Sequence, residues 1–115
     1  MLKMYAIPNC DTVKKARKWL EANGVAYEFY DYKKAGVPED KLRAWVKAQG
    51  WEVICNQRGM TWRKLSDAEK AAINNADAAI DFMLEKSSVI KRPIIEGASE
   101  LVIGFDEDTY ARVFL

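Results

Sequence analysis

The stretch Leu2 to Tyr32, LKMYAIPNCDTVKKARKWLEANGVAYEFYDY, decides the fold. Leu2 to Ile7 is a short apolar run closed by the turn signal Pro8-Asn9, which predicts a buried strand. From Thr12 to Asn23 the apolar residues Val13, Ala16, Trp19 and Leu20 recur at helical spacing, with Lys14, Lys15 and Lys18 on the wet side. Gly24 stands where such a helix ends. Val25 to Tyr32 is aromatic and β-branched and partly alternates, so it predicts a second strand. A strand, a helix and a strand in this order form a βαβ unit with parallel strands and a right-handed crossover. The helix then begins at the carboxyl end of the first strand, where open α/β sheets bind their ligands. Cys10 lies at that point.

Beyond this unit the pattern becomes helical and then returns to strand. Gly36-Val37-Pro38-Glu39-Asp40 sets Pro in a first turn with acids beside it, and Leu42, Trp45 and Val46 form a buried stripe up to Gly50. Ser66-Asp67-Ala68-Glu69 reads as a capping box, and Ala78, Ile80, Met83 and Leu84 continue a helix after Asn75. Two or three helices are expected between Pro38 and Lys86, with a loop around Asn56 to Thr61. Pro93 to Glu96 and Glu100 to Gly104, joined through Gly97-Ala98-Ser99, predict an antiparallel hairpin. Asp106 is placed to cap a last helix through Tyr110 to Phe114. The order is β-α-β, a helical insert over about residues 37–88, then β-β-α, in one domain spanning residues 1–115.

Composition narrows the chemistry. Half of the residues are hydrophobic and 30% are charged, with 18 basic against 17 acidic, which suits a folded globular chain and gives no bulk field toward a polyanion. No apolar run reaches the roughly 20 residues of a membrane span, and Met1-Leu2-Lys3-Met4-Tyr5 lacks a secretory plan, so a cytoplasmic location is expected and no membrane partner. The chain contains no histidine. That removes Cys-His and Ser-His-Asp catalysis, and with only Cys10 and Cys55 it leaves no ordinary zinc site, so no metal is expected. A reducing compartment keeps both cysteines as thiols.

Two segments at opposite ends of the chain sharpen the reading: Ile7 to Arg17, IPNCDTVKKAR, and Ile90 to Ile95, IKRPII. Together they resemble the arsenate reductase (ArsC-type) family of the thioredoxin superfamily, over essentially the whole chain. The similarity is greatest to its YffB-like branch of glutathione-dependent thiol reductases, and the family also includes the Spx-type regulators. The resemblance implies an α/β, thioredoxin-like fold with a four-stranded mixed sheet. It implies Cys10 as nucleophile, Arg92 as the arginine set against it, and Pro93 as a cis-proline flanking the thiol. It also implies an oxyanion-binding arginine from the helical insert, matched best by Arg58, with Arg63 the weaker match. Family arsenate reductases carry a further arginine after the last strand, where this chain reads Val102-Ile103-Gly104-Phe105-Asp106 and has none. Three arginines suit a small oxyanion held by several charge-assisted bonds, so the missing one weakens the case for arsenate and leaves thiol chemistry intact.

At the thiol itself, a helix N-terminus lowers a cysteine's pKa through its dipole and free amides. Asn9 can cap the helix, and Thr12 belongs to the turn whose amides face the sulfur. Asp11 opposes a second negative charge nearby, and Lys14 and Arg92 have to outweigh it. Val13 occupies the place of a resolving cysteine, so a mixed disulfide on Cys10 needs an external thiol to release it. The implied function is a glutathione-dependent thiol or disulfide reductase, with glutathione as co-substrate, no bound cofactor, and glutathione or a glutaredoxin as partner. A glutaredoxin-linked arsenate reductase and a non-catalytic, Spx-like interaction module stand as alternatives. Cys55, in the apolar run Trp51-Glu52-Val53-Ile54-Cys55, reads as a core thiol rather than a resolving one. The lysines of the first helix, with Arg17, Lys33 and Lys34, read as a solvated face, and the tryptophans as core rather than base-stacking groups. No nucleic-acid partner is expected, and the chain is taken as a monomer.

Overall fold

The computed structural model describes every residue from Met1 to Leu115. In chain order the first elements are β1 (Leu2–Ala6), α1 (Asp11–Ala22), β2 (Tyr27–Asp31) and the single turn α2 (Tyr32–Ala35). The middle holds α3 (Glu39–Gln49), α4 (Trp51–Ile54), α5 (Met60–Arg63), α6 (Asp67–Ala72), α7 (Ala76–Glu85) and a 3-10 turn at Ser87–Val89. The chain closes with β3 (Ile94–Glu96), β4 (Val102–Ile103) and α8 (Glu107–Phe114). These elements form two units, Met1–Gly36 with Arg92–Leu115, and Val37–Lys91.

The first unit is a mixed four-stranded sheet in the order β2-β1-β3-β4, with β1 parallel to β2 and antiparallel to β3. Register sets Met4 beside Phe29 and Ile95, and Tyr5 beside Tyr30 and Ile94, so alternate residues of β1 face opposite sides. On one side Met4, Ala6, Ile95 and Val102 pack with Val13, Ala16 and Leu20 of α1 and Tyr110 of α8. Full burial of a side chain such as Leu20 contributes about 1.5–3 kcal/mol. Tyr110 sits among the rings of Trp19, Phe105 and Phe114, at 5.0 to 5.5 Å between centroids, and its hydroxyl donates to the Gly104 carbonyl at 2.6 Å. This packing fixes the rotation of α1 and so the direction of its N-terminus.

The strands are shorter than their apolar runs. β2 stops at Asp31 because that carboxylate accepts from the Lys33 amide at 2.8 Å and turns the chain into α2. β4 is only Val102–Ile103, and Glu100 instead binds Arg112 of α8 in a two-pronged contact at 2.8 and 3.1 Å. The turn into the hairpin requires glycine. Gly97 has φ +101°, and a Cβ there would lie 2.6 Å from the Met1 carbonyl oxygen.

In the second unit α3 packs on α4 and α7 through its buried Leu42, Trp45 and Val46, with Ile54, Ile80 and Met83 also buried. The two or three helices expected between Pro38 and Lys86 are in fact five, and Pro38 precedes α3 as its cap rather than entering its first turn. Gly50, at φ +92°, separates α3 from the single turn α4. The expected loop runs only to Gly59, since Met60–Arg63 are helical, with Trp62 edge-on to Phe82 at 6.2 Å. One-turn helices are too short to display a period and owe their existence to such packing. The capping box at Ser66 and Glu69 has both of its bonds, at 3.1 and 2.9 Å.

Candidate active site

Cys10 ends the short connection from β1 and is itself the N-cap of α1, in an extended conformation at φ −141°. Its carbonyl accepts the first helical bond from the Lys14 amide at 2.9 Å. The first-turn amides of α1 therefore surround its sulfur with donors that have no helical acceptor. Asn9, expected to cap, is exposed and makes no capping bond; Cys10 holds that place because the helix begins one residue later than Asn9 would require.

Arg92 reaches the same sulfur from the other end of the chain. β3 runs antiparallel to β1 with Ile94 opposite Tyr5, so the residues just before β3 lie past the carboxyl end of β1, beside the loop that carries Cys10. There the Arg92 Nε–H donates to the Cys10 Sγ at 3.4 Å. The Arg92-Pro93 peptide bond is cis, Pro93 is buried, and its carbonyl accepts from the Gly104 amide at 2.8 Å, tying the Arg92 segment to the end of β4.

The electrostatics favour the thiolate. Partial burial of Cys10 pushes its pKa up, but the Arg92 bond, the Val13 and Thr12 amides and the Arg92 charge together hold it below the ordinary thiol value. The side chain that lowers it is Arg92, from across the site, while Asp11 and Lys14, the two expected to act from within α1, are not among these causes. Both are exposed and line an open groove along α1. Thr12 contributes through its backbone, and its side chain is exposed. Cys55 is the opposite case, fully buried, with burial pushing its pKa up to about 11 against a smaller pull from Lys91. Both cysteines are free thiols. Arg58 belongs to the second unit, exposed in the turn before α5, where its backbone N–H donates to Asn56 Oδ1 at 3.1 Å. No group of three or more His, Cys, Asp or Glu side chains is gathered that could hold a metal ion.

The face of the sheet away from α1 and α8 carries a tyrosine cluster that sequence reasoning missed. The Tyr5 and Tyr30 rings lie 5.0 Å apart, Tyr30 and Tyr32 6.3 Å, and the Tyr5 hydroxyl donates to Glu96 Oε1 at 2.9 Å. The Tyr32 hydroxyl is buried and without a hydrogen-bond partner. Burial first, then Tyr5, Tyr30 and Glu96, push its pKa well above the usual phenol value, with Arg92 opposing. The one charge of Arg92 thus acts on both Cys10 and Tyr32. Alternation in Val25–Tyr32 was visible, but only the register with β1 shows which tyrosines share a side.

An arginine against a sulfur, at a helix N-terminus, can stabilise a thiolate, and a thiolate can attack a disulfide sulfur or an oxyanion centre. The sequence of the ArsC family matches residues 5–113. An uncharacterised protein of Haemophilus influenzae is 37% identical over 114 residues, 99% of each chain. The global transcriptional regulator Spx 1 of Lactococcus lactis is 30% identical over 118 residues, spanning 100% of this chain and 89% of that one. Among solved structures, the YFFB protein superposes with a TM-score of 0.92 at 42% identity over all of both chains. An arsenate reductase (ArsC) related protein from Brucella melitensis does so at 0.79 and 40%, over 96% of this chain and 92% of that one. The architecture is a thioredoxin-like α/β fold. No helix is long and apolar enough to cross a membrane.

Proposed function

Because this chain belongs to the ArsC family and sets Arg92 against Cys10, we propose that it is a single-cysteine thiol-disulfide reductase that uses glutathione as its external thiol. The observation that carries the reading is the 3.4 Å contact from Arg92 Nε to Cys10 Sγ. The Cys10 thiolate attacks one sulfur of a substrate disulfide, forms a mixed disulfide, and expels the other sulfur as a thiolate. One glutathione thiolate then attacks the Cys10 sulfur and releases the second substrate thiol. A second glutathione regenerates Cys10 and leaves as oxidised glutathione, so the substrate gains the two electrons that the glutathione pair loses. An external thiol is required because α1 carries no other cysteine and the Cys55 thiol, buried and hard to ionise, makes a poor nucleophile. A glutaredoxin can take the same role. The reading places the protein in a reducing cytoplasm, acting as a monomer without a bound cofactor.

The test is alkylation of Cys10 by iodoacetamide against pH, with mass measurement after exposure to oxidised glutathione. Faster alkylation than free cysteine below its ordinary titration, and a glutathione adduct that Cys10→Ser abolishes, support the reading. Neither effect would leave the non-catalytic alternative, which the full-length similarity to the Spx regulator favours. Arsenate reduction is the narrower alternative, tested by turnover with glutathione and glutaredoxin. Its case is reduced where an arginine is wanted after the last strand, since Asp106 stands there and caps α8 through the Thr109 amide and hydroxyl at 3.1 and 2.6 Å.

A further inference from the structure

The basic run on α1 is more than a solvated face. Arg17 is half-buried, its guanidinium 4.3 Å over the Phe29 ring, and its Nε–H donates to the Tyr27 hydroxyl at 2.9 Å. That hydroxyl donates in turn to Glu21 at 3.1 Å, so the arginine is held against β2 rather than waving in water. Two open grooves share Arg17 and Pro8. One, of about 660 Å³, runs along α1 past Lys14, Lys15 and Lys18; the other, of about 550 Å³, follows β2 to Lys34. Pro8, two residues before Cys10, lines both, and Asp11, the residue after Cys10, lines the first. None of the four lysines has an ion-pair partner, although the chain as a whole is almost neutral. The acids along the same grooves are Asp11, Glu21 and Asp31, and the last is engaged in capping α2. β2 is also the edge strand of the sheet, with the outer side of its backbone unpaired by any other strand. An edge strand beside a groove offers main-chain bonds to an extended chain, which a small anion could not use.

We propose that these grooves dock an acidic polypeptide segment and present its disulfide to Cys10, so that the substrates of this thiol are proteins with acidic residues flanking the reactive cysteine. The inference rests on Cys10 being the reactive thiol. Its contacts are an arginine pre-set on an aromatic ring and four unpaired lysines, complementary to carboxylates on a chain that passes the sulfur.

The experiment uses three short peptides, each with one central cysteine flanked by two residues on either side, glutamate, glutamine or lysine. Each is supplied as the mixed disulfide with thionitrobenzoate. Attack by the Cys10 thiolate forms a Cys10-peptide disulfide and releases the coloured thionitrobenzoate anion, and each rate is divided by that of 2-mercaptoethanol with the same peptide. At low salt the glutamate peptide should exceed the lysine peptide by about tenfold, at the lower end of electrostatic steering. The ratio should fall toward one in 1 M salt, where screening acts within about 3 Å. It should drop below one in the triple substitution Lys15→Glu, Lys18→Glu, Lys34→Glu, all at exposed positions. Equal normalised rates for all three peptides, with Cys10 still faster than 2-mercaptoethanol, overturn the docking inference and leave the thiol reading standing. If no peptide reacts faster with Cys10 than with 2-mercaptoethanol, the thiol reading falls and the inference falls with it.

Discussion

Replacing Arg92 with Met keeps much of the side-chain length and removes both the charge and the Nε–H that meets the Cys10 sulfur at 3.4 Å. A hydrogen bond to a charged group contributes about 1.5–3 kcal/mol. Cys10 is only partly buried, so the lower end applies, and about 1.4 kcal/mol is a tenfold change in an equilibrium. The thiolate-to-thiol ratio at a given pH on the rising limb should therefore fall about tenfold. A more basic thiolate is also more nucleophilic, with a Brønsted slope of about 0.4–0.5, which returns roughly threefold. The net expectation is iodoacetamide alkylation about threefold slower than wild type near neutral pH. At alkaline pH, where both thiols are ionised, the variant should be about threefold faster. The sign follows from the direction of the shift: Arg92 lowers the Cys10 pKa, so its loss moves the curve to higher pH. The assay is a pH series of pseudo-first-order alkylation rates in the Cys55→Ala background. Curves that superimpose, or a variant slower at every pH by one constant factor, would refute the assignment of Arg92 as the group that ionises Cys10.

Other outcomes follow from single features. Between pH 7 and 9 the native protein should take up one alkyl group, at Cys10, because Cys55 is buried and its pKa is pushed up to about 11; peptide mass mapping that finds Cys55 modified first would contradict this. Tyr32→Phe removes a buried hydroxyl that has no partner, and such a group costs about 1–3 kcal/mol, so urea unfolding should show stability unchanged or raised by about 1 kcal/mol. Loss of more than that would mean the hydroxyl is bonded. Gly97→Ala places a side chain in a left-handed conformation against the Met1 carbonyl and should cost at least about 2 kcal/mol in the same measurement. Ser66→Ala should cost about 1 kcal/mol through the lost cap of α6, with a larger loss of amide protection at Glu69 than at α1.

The β1-α1-β2 unit was legible because each of its elements is long enough to show a period, with Val13, Ala16 and Leu20 marking the buried stripe. The helical segments α4 and α5 were not, since four residues carry no periodicity and only burial or a ring contact identifies them. At the site, Cys10 and Arg92 could be paired through the resemblance alone, because nothing in their spacing says that β3 returns beside β1. Spacing within α1 suggested Lys14 as a second charge beside the thiol, with Arg92; Lys14 lies along the α1 groove, and the cation bonded to the sulfur is Arg92. Arg17 was read as solvated because the sequence shows its helix neighbours and not Phe29 and Tyr27, which the parallel strand brings beneath it.

The two halves of the site are separated by 82 positions in the chain, and the whole of Val37–Lys91 is synthesised between them. A chain growing from its N-terminus contains the residues of the strand, the loop and the helix around Cys10 well before Arg92 is added. Without Arg92 the sulfur lacks the guanidinium that lowers its pKa in the folded chain. Pairing of β3 with β1 brings that guanidinium to the sulfur in the same event that completes the sheet. The lowered pKa of the thiol is therefore a property of the finished sheet and not of the β1-α1-β2 unit alone.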